Sequence, residues 1–368
     1  RLADAEYFWQ ADCKRGIEQM AAGLPGVMFQ QQLGSFQQKS ERLALLVGQI
    51  MQGAEADLIN LGRQAALLSK ADLLSDMVGE FPELQGVMGE YYAQVEGLPA
   101  AVGTAIREHY LPRFSGDQLP TSRLGAALAL ADRLDSLVGI FAIGSAPTGD
   151  KDPFALRRSA LGAIRLLLDA DLDQPLKPLI EASVEPLPPG LEITGAALVE
   201  QVESFMADRF RGYQESQGYT PDAIEAVLAV SPQTLLEGQQ RLQALTQFRG
   251  EPAVESLVAA NKRVANILAK SAAEVSEQVD QAVLTDEAEK NLYQQIGAAS
   301  SLVGALTEKR DYLLACEQLA ELREPVDRFF DAVMVMAEEP ELRRNRLALL
   351  QQLRELFLKV ADFSSLQG

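Results

Sequence analysis

Histidine occurs once in this chain and cysteine twice. A single imidazole leaves no basis for a histidine-rich metal centre. Cys13 and Cys316 are far apart and have no partner motif, so neither a metal knuckle nor a disulfide framework is indicated, and a reducing cytoplasm is the simple expectation. No apolar run approaches the ~18 residues that a membrane span needs, so a hydrophobic content of 47% indicates a globular core without a membrane helix. Phosphate loops of the Walker type and GxSxG elbows are missing, and so is a signal-peptide pattern. Positive charge is also short, with 33 Lys and Arg against 52 Asp and Glu and a net charge of −19. That balance argues against broad attraction to nucleic acid. Even from Tyr219 onward there are 15 basic against 23 acidic residues, so any RNA site has to come from local arrangement.

What is present is helical periodicity, filled by good helix formers such as Ala, Leu, Gln, Glu and Arg, with little strand-like alternation. The pattern predicts an all-α protein with room for two or three domains. The first 36 residues are less regular. Helices are predicted at 37–52, 55–81, 98–110, 122–141 and 153–169. A looser, proline-rich region follows from Asp171 to Gly195, and helices resume at 196–216, 221–230 and 232–247. The Gly250-Glu-Pro252 break opens a last unit. Its first helix places Val254, Leu257, Val258, Val264, Ala265 and Leu268 on one buried face. Pro325 and Pro340 mark bends or ends in the helices that follow.

Three groups of cations stand out. In Gly149–Arg165, Asp152 is a good N-cap and Pro153 suits the first helical position, so Lys151, Arg157, Arg158 and Arg165 cluster near a helix start. Such an arrangement suits an anion or an acidic partner, and equally a capped surface helix with ordinary ion pairs. On the helix after Pro252, Lys262, Asn266 and Lys270 fall at i, i+4 and i+8 with Arg263 beside them. Cations there could meet phosphates, and the amide or guanidinium could read a base in a single-stranded loop. Arg343, Arg344, Asn345 and Arg346 form another group, with Glu338, Glu339 and Glu341 nearby. Plain solvated faces remain the alternative for both. In "PVDRFFDAVMVM", Val326, Phe329, Phe330, Val333 and Met334 fit helical spacing and read as core.

Five blocks carry a resemblance that spans nearly the whole chain. They are "RLADAEYFW" (1–9), "LLSKADLLSDMVGEFPELQGVMGEYYA" (67–93), "ALALADRLDSLVGIFAIG" running into "GDKDPFALRR" (127–158), "ANKRVANILAK" (260–270) and "PVDRFFDAVMVMAEEPELRRNRLALL" (325–350). Together they resemble the β subunit of the bacterial heterotetrameric glycyl-tRNA synthetase. The resemblance implies the C-terminal half of such a subunit, cut from a longer chain. It would have an N-terminal extension (1–36) packing on an HD-like domain (37–170), a helical linker (171–250) and an anticodon-binding bundle (251–368) similar to that of arginyl-tRNA synthetase. It further implies a cytoplasmic tRNA-binding part without a catalytic residue or cofactor of its own. ATP and magnesium would be used by the separate α subunit, and glycine tRNA, that α subunit and the N-terminal half of β would be the partners.

The HD superfamily of metal-dependent phosphohydrolases sets a His, a His-Asp pair and a final Asp around a metal. "ALALADRLDSLVG" resembles the last of these elements, with Asp132 at the ligand position, and His109 lies where a histidine is common. The remaining positions depart from the pattern: Lys39 falls where the first His belongs, and Ser69-Lys70 where the His-Asp pair belongs. An ammonium cannot ligate a metal and a serine hydroxyl is a weak substitute, so the expectation is an HD fold without a metal. His109 then has two readings, as an imidazole hydrogen-bonded between helices or as a phosphate contact together with Lys39, Lys70 and Arg113. A metal-dependent phosphohydrolase and a helical protein-interaction scaffold are the rival functions.

Overall fold

The computed structural model describes residues 2–168, 172–250, 254–271 and 278–367. They form two compact units, residues 1–213 and 214–368. Both are helical. The strands among the described residues are a short antiparallel pair, β1 (Met28–Gln30) and β2 (Gly34–Ser35).

The first unit opens with α1 (Leu2–Arg15) and α2 (Ile17–Ala21), so the stretch expected to be irregular begins with a 14-residue helix. Asp12 ties α1 to the rest. Its carboxylate accepts the backbone N–H groups of Asp76 and Met77, both at 3.0 Å, and the Tyr92 hydroxyl at 2.8 Å. After the hairpin comes α3 (Phe36–Ile50), opened by a capping box in which Ser35 and Gln38 satisfy each other's backbone N–H. Next is α4 (Ala56–Leu68), and here the single helix predicted over 55–81 breaks. Ser75 caps a new short helix, α5 (Asp76–Glu80), by accepting the Val78 N–H at 3.1 Å. The intervening Asp72 turns its carboxylate to the N–H groups of Gly86 (2.5 Å) and Gly89 (3.1 Å). Two polar residues inside an apolar pattern thus take the backbone out of the helix.

The unit continues through α6 (Val87–Val95), α7 (Ala100–Glu108), α8 (Arg123–Ala142), α9 (Leu156–Leu167), α10 (Leu176–Val184) and α11 (Gly195–Ser216). Helix α8 is its axis, buried around most of its circumference from Leu124 to Ala142. Arg133 and Asp135 are buried there too, and charges in that position require partners.

In the second unit, α12 (Pro221–Leu228), α13 (Leu235–Phe248), α14 (Val254–Lys270), α15 (Glu287–Glu308), α16 (Tyr312–Ala320), α17 (Arg323–Ala332) and α18 (Pro340–Leu358) share one core. The stretch 171–250, expected as a connector, has no unit of its own. Helix α10 and nearly all of α11 belong to the first unit, while Ala223, Val227, Leu242, Leu245 and Phe248 of α12 and α13 pack into the core of the second. That bundle therefore starts well before the Gly250-Glu-Pro252 break, whose residues 251 and 252 lie outside the described ones.

Pro340 opens α18 as its first residue, but Pro325 sits inside the first turn of α17 and ends nothing. The apolar run there does not continue as helix: α17 stops at Ala332, and the next residues alternate. Val333 and Val335 are buried, whereas Met334, expected in the core, is 75% exposed and Met336 is 49% exposed.

Candidate functional site: a buried lysine–carboxylate cluster and a basic helix face

Asp132 and Asp135 lie one turn apart on α8, and Lys39 and Arg42 lie one turn apart on α3. The four meet in the interior. Lys39 Nζ is 3.0 Å from Asp132 Oδ1 and 2.9 Å from Asp135 Oδ2, and it also donates to the Ser136 hydroxyl at 2.9 Å. Arg42 grips Asp135 with two hydrogen bonds, at 2.5 and 3.2 Å, and its remaining arm reaches the Leu33 carbonyl at 3.0 Å. From the end of α4, Lys70 contributes a third cation, with Nζ 3.2 Å from Asp132 Oδ2 and 4.4 Å from the centre of the Tyr110 ring.

Lys70 also lies 2.7 Å from His109 Nε2, while His109 Nδ1 is 2.6 Å from the Ile106 carbonyl. A carbonyl only accepts, so Nδ1 carries the hydrogen and Nε2 accepts from the ammonium. The imidazole is therefore neutral. Burial, followed by the positive charge of Lys70, holds its pKa well below the ordinary histidine value. Burial alone would raise the Asp132 carboxyl, but Lys39 and Lys70 outweigh it and hold it well below the usual range. Burial works against the Lys39 ammonium as well, yet Asp132 and Asp135 more than compensate and its pKa rises. Lys70 has fewer carboxylates and a like charge close by, so burial wins and its pKa falls.

The carboxylate that the HD pattern would give to a metal is thus taken by two ammonium groups. Ser69 stands apart from the cluster, with its hydroxyl returned to the Ala66 carbonyl at 2.8 Å. Beside Asp132 opens a cleft of about 280 Å³ lined by His109, Arg113, Arg133, Ser136, Arg158 and Ser159, among others. Arg133 is structural: its guanidinium donates to the carbonyls of Ala129 and Pro112, both at 2.8 Å, and of His109 and Tyr110, both at 3.3 Å. Of the cations around Gly149–Arg165, Arg158 reaches this cleft. Arg157 donates to the Gly149 carbonyl, Arg165 to the Asp117 carbonyl at 2.6 Å, and Lys151 is exposed in a small bridge with Thr148. Asp152 caps α9, but across a turn. Its carboxylate accepts the N–H groups of Leu156 (2.7 Å) and Arg157 (3.0 Å), and Pro153 lies before the helix instead of in its first turn.

Asp135, Arg42 and Ser136 escaped the sequence reading. A signal existed in the matched spacing, since Lys39/Arg42 and Asp132/Asp135 are pairs three residues apart with opposite charge, each on one helix face.

On α14 the apolar stripe is buried as expected, with Ala265 half-buried. Its other side presents Lys262, half-buried, and Arg263, Asn266 and Lys270, exposed. Among the described residues neither Lys262 nor Lys270 has an ion pair or hydrogen bond, and Arg263 lies 4.1 Å over the ring of Phe330. The second basic group divides. Arg344 is exposed and turns back to the Pro340 carbonyl at 3.3 Å, and Arg343 is half-buried. Arg346, expected on the RNA-facing side, is only 8% exposed, paired with the fully buried Glu289 and donating to the Met334 carbonyl at 2.8 Å. Asn345 is buried as well, bonded both ways to the backbone of Asp280 at 2.7 and 3.0 Å. These two hold the core of the bundle.

Lysines without a partner among the described residues suit phosphates, and residues 257–362 match the DALR anticodon binding domain family. Residues 1–229 match the family described as glycyl-tRNA synthetase beta subunit, and the chain belongs to that family. It is 47% identical over its whole length to the glycine–tRNA ligase beta subunit of Pectobacterium atrosepticum and 46% identical to those of Pasteurella multocida and Escherichia coli. In each case it covers 53% of the relative, so the chain spans about half the length of the curated proteins it matches. No described helix is long and apolar enough to cross a membrane.

Proposed function

We propose that this chain is the tRNA-binding part of a glycine–tRNA ligase beta subunit and supports ATP-dependent charging of glycine tRNA. The observation that supports this most is the α14 face, where Lys262 and Lys270 have no carboxylate partner among the described residues, in a unit whose overall charge is acidic. Unneutralised cations at helical spacing suit phosphates, and repulsion from the acidic surroundings would confine the RNA to that stripe. Bond making, with ATP and magnesium, belongs in this reading to a separate α subunit, in the cytoplasm. The partners are glycine tRNA, that subunit and the rest of the beta chain. Arg158, at the cleft above Asp132, is the best placed of the other cations for a contact with the tRNA acceptor end. A phosphohydrolase gains no support, because Lys39 and Lys70 already neutralise Asp132.

A titration of the full-length α and β subunits with glycine tRNA and with the same tRNA carrying an altered anticodon tests the reading. Tighter binding of the unaltered tRNA is expected. Equal affinity for both would refute anticodon reading and favour a plain scaffold.

A further inference from the structure

Methionine side chains in water need a reason, and two of them border the basic stripe. The segment 333–336 leaves α17 as irregular chain that bends at Val335 and Met336, with Val333 and Val335 buried in the core and Met334 and Met336 exposed. Its backbone is held in place, since the Met334 carbonyl accepts from Arg346, which is itself pinned by Glu289. The segment follows α14. Arg263 stacks on Phe330 just before it, and Met336 Sδ lies 3.9 Å from Ser271 Oγ at the far end. From Arg263 to Lys270, its last residue, the helix rises about 10 Å. The stretch from Phe330 to Met336 therefore carries an aromatic ring under a guanidinium plane and two exposed, polarisable thioethers, and its two ends lie against the helix that bears Lys262 and Lys270 and the residue just after it.

This combination fits unpaired nucleobases. Bases have flat apolar faces that stack on guanidinium planes and aromatic rings, and thioethers make favourable contacts with such faces. The neighbouring ammonium groups suit the phosphates between the bases. Glu338, Glu339 and Glu341, exposed beyond Met336, repel a backbone on that side and leave the α14 side open to it. A second protein would have little use for unneutralised lysines on the adjoining helix unless it were strongly acidic.

We infer that Met334 and Met336, with the Arg263–Phe330 stack, form a platform on which unpaired bases of the bound tRNA lie. The inference rests on the tRNA-binding reading above. Peroxide footprinting of the full-length α and β subunits tests it, with sulfoxide formation followed at each methionine by mass spectrometry. Saturating glycine tRNA should slow oxidation of Met334 and Met336 several-fold and leave Met28, 62% exposed in the other unit, unchanged. The double variant M334Q/M336Q should bind glycine tRNA about ten-fold more weakly with the same salt dependence, as the loss of a stacked base predicts. If the tRNA binds and both methionines still oxidise at the free rate, the platform is wrong while the tRNA reading stands. Shielding by the α subunit without tRNA would also overturn it, by showing a protein contact. Absence of tRNA binding altogether would overturn both.

Discussion

Lys70 Nζ lies 2.7 Å from Nε2 of His109, with the other ring nitrogen fixed to the Ile106 carbonyl at 2.6 Å. The ammonium keeps the chain's one histidine neutral by donating to Nε2. The charge cluster joins α3, the turn after α4 and α8.

That neutrality has a pH signature. The folded-state pKa of His109 is held well below its ordinary value, so between the two values the unfolded chain binds a proton that the folded chain refuses. Stability should therefore fall as pH drops below about 6.5, at up to about 1.4 kcal/mol per pH unit. No other histidine contributes in that window. Denaturant midpoints measured between pH 7.5 and 5.5 should show this slope, and the His109→Gln variant should lose it. A flat profile for the unaltered protein would mean a charged imidazole.

Removing two members of the cluster should cost less than the sum of removing each alone. Lys39→Met leaves Asp132 and Asp135 short of a buried cation, and a loss of about 3–5 kcal/mol is expected from chemical denaturation. Asp135→Leu should cost a similar amount by stranding Arg42 and Lys39. The double variant should lose clearly less than the sum of the two, because each change relieves the charge that the other strands. Simple additivity would show that the groups do not act together.

Gly162 on α9 faces Arg133 so closely that an added Cβ would come 2.4 Å from Arg133 Nε. The guanidinium cannot move aside cheaply, since it holds the carbonyls of the 109–112 turn. Gly162→Ala should therefore destabilise by about 1–3 kcal/mol despite the better helix propensity of alanine. A thermal melt checks this, and a gain in midpoint would contradict it.

The helical class and most helix limits were legible because an apolar stripe at period 3.6 is a strong local signal, as in α14 and α8. Breaks were harder where polar side chains took backbone hydrogen bonds from a distance. Asp72 reaches Gly86 and Gly89, and Asp12 reaches α5 from α1, and neither partner is near in sequence. The same limit explains the basic residues. Arg343 to Arg346 are four neighbours in sequence, yet helix rotation buries Asn345 and Arg346 and leaves Arg344 in solvent. Met334 read as core because the stripe fits a helix, and the chain leaves helix one residue earlier. The cations at Lys39 and Lys70 were visible in residue types alone. Their shared partner needed the fold, which brings Lys39 and Lys70 to the Asp132 carboxylate across 31 residues of sequence.

Arg346 and the α14 cations should respond oppositely to mutation. Arg346→Ala strands Glu289 in the core, so it should cost about 3–5 kcal/mol of stability in the second unit while leaving the salt dependence of tRNA binding unchanged under conditions where the variant is folded. Lys262→Ala, Arg263→Ala and Lys270→Ala should scarcely change stability.

The salt dependence of glycine tRNA binding to the full-length α and β subunits tests the central claim most directly, with the unaltered protein compared with the K262A/R263A/K270A variant. Each lost phosphate contact should lower the slope of log affinity against log salt by about 0.7 to 0.9, so with Lys262 and Lys270 meeting phosphates and Arg263 stacking on a base a decrease of about 1.4 to 1.8 is expected. An unchanged slope would contradict the assignment of this helix face to tRNA.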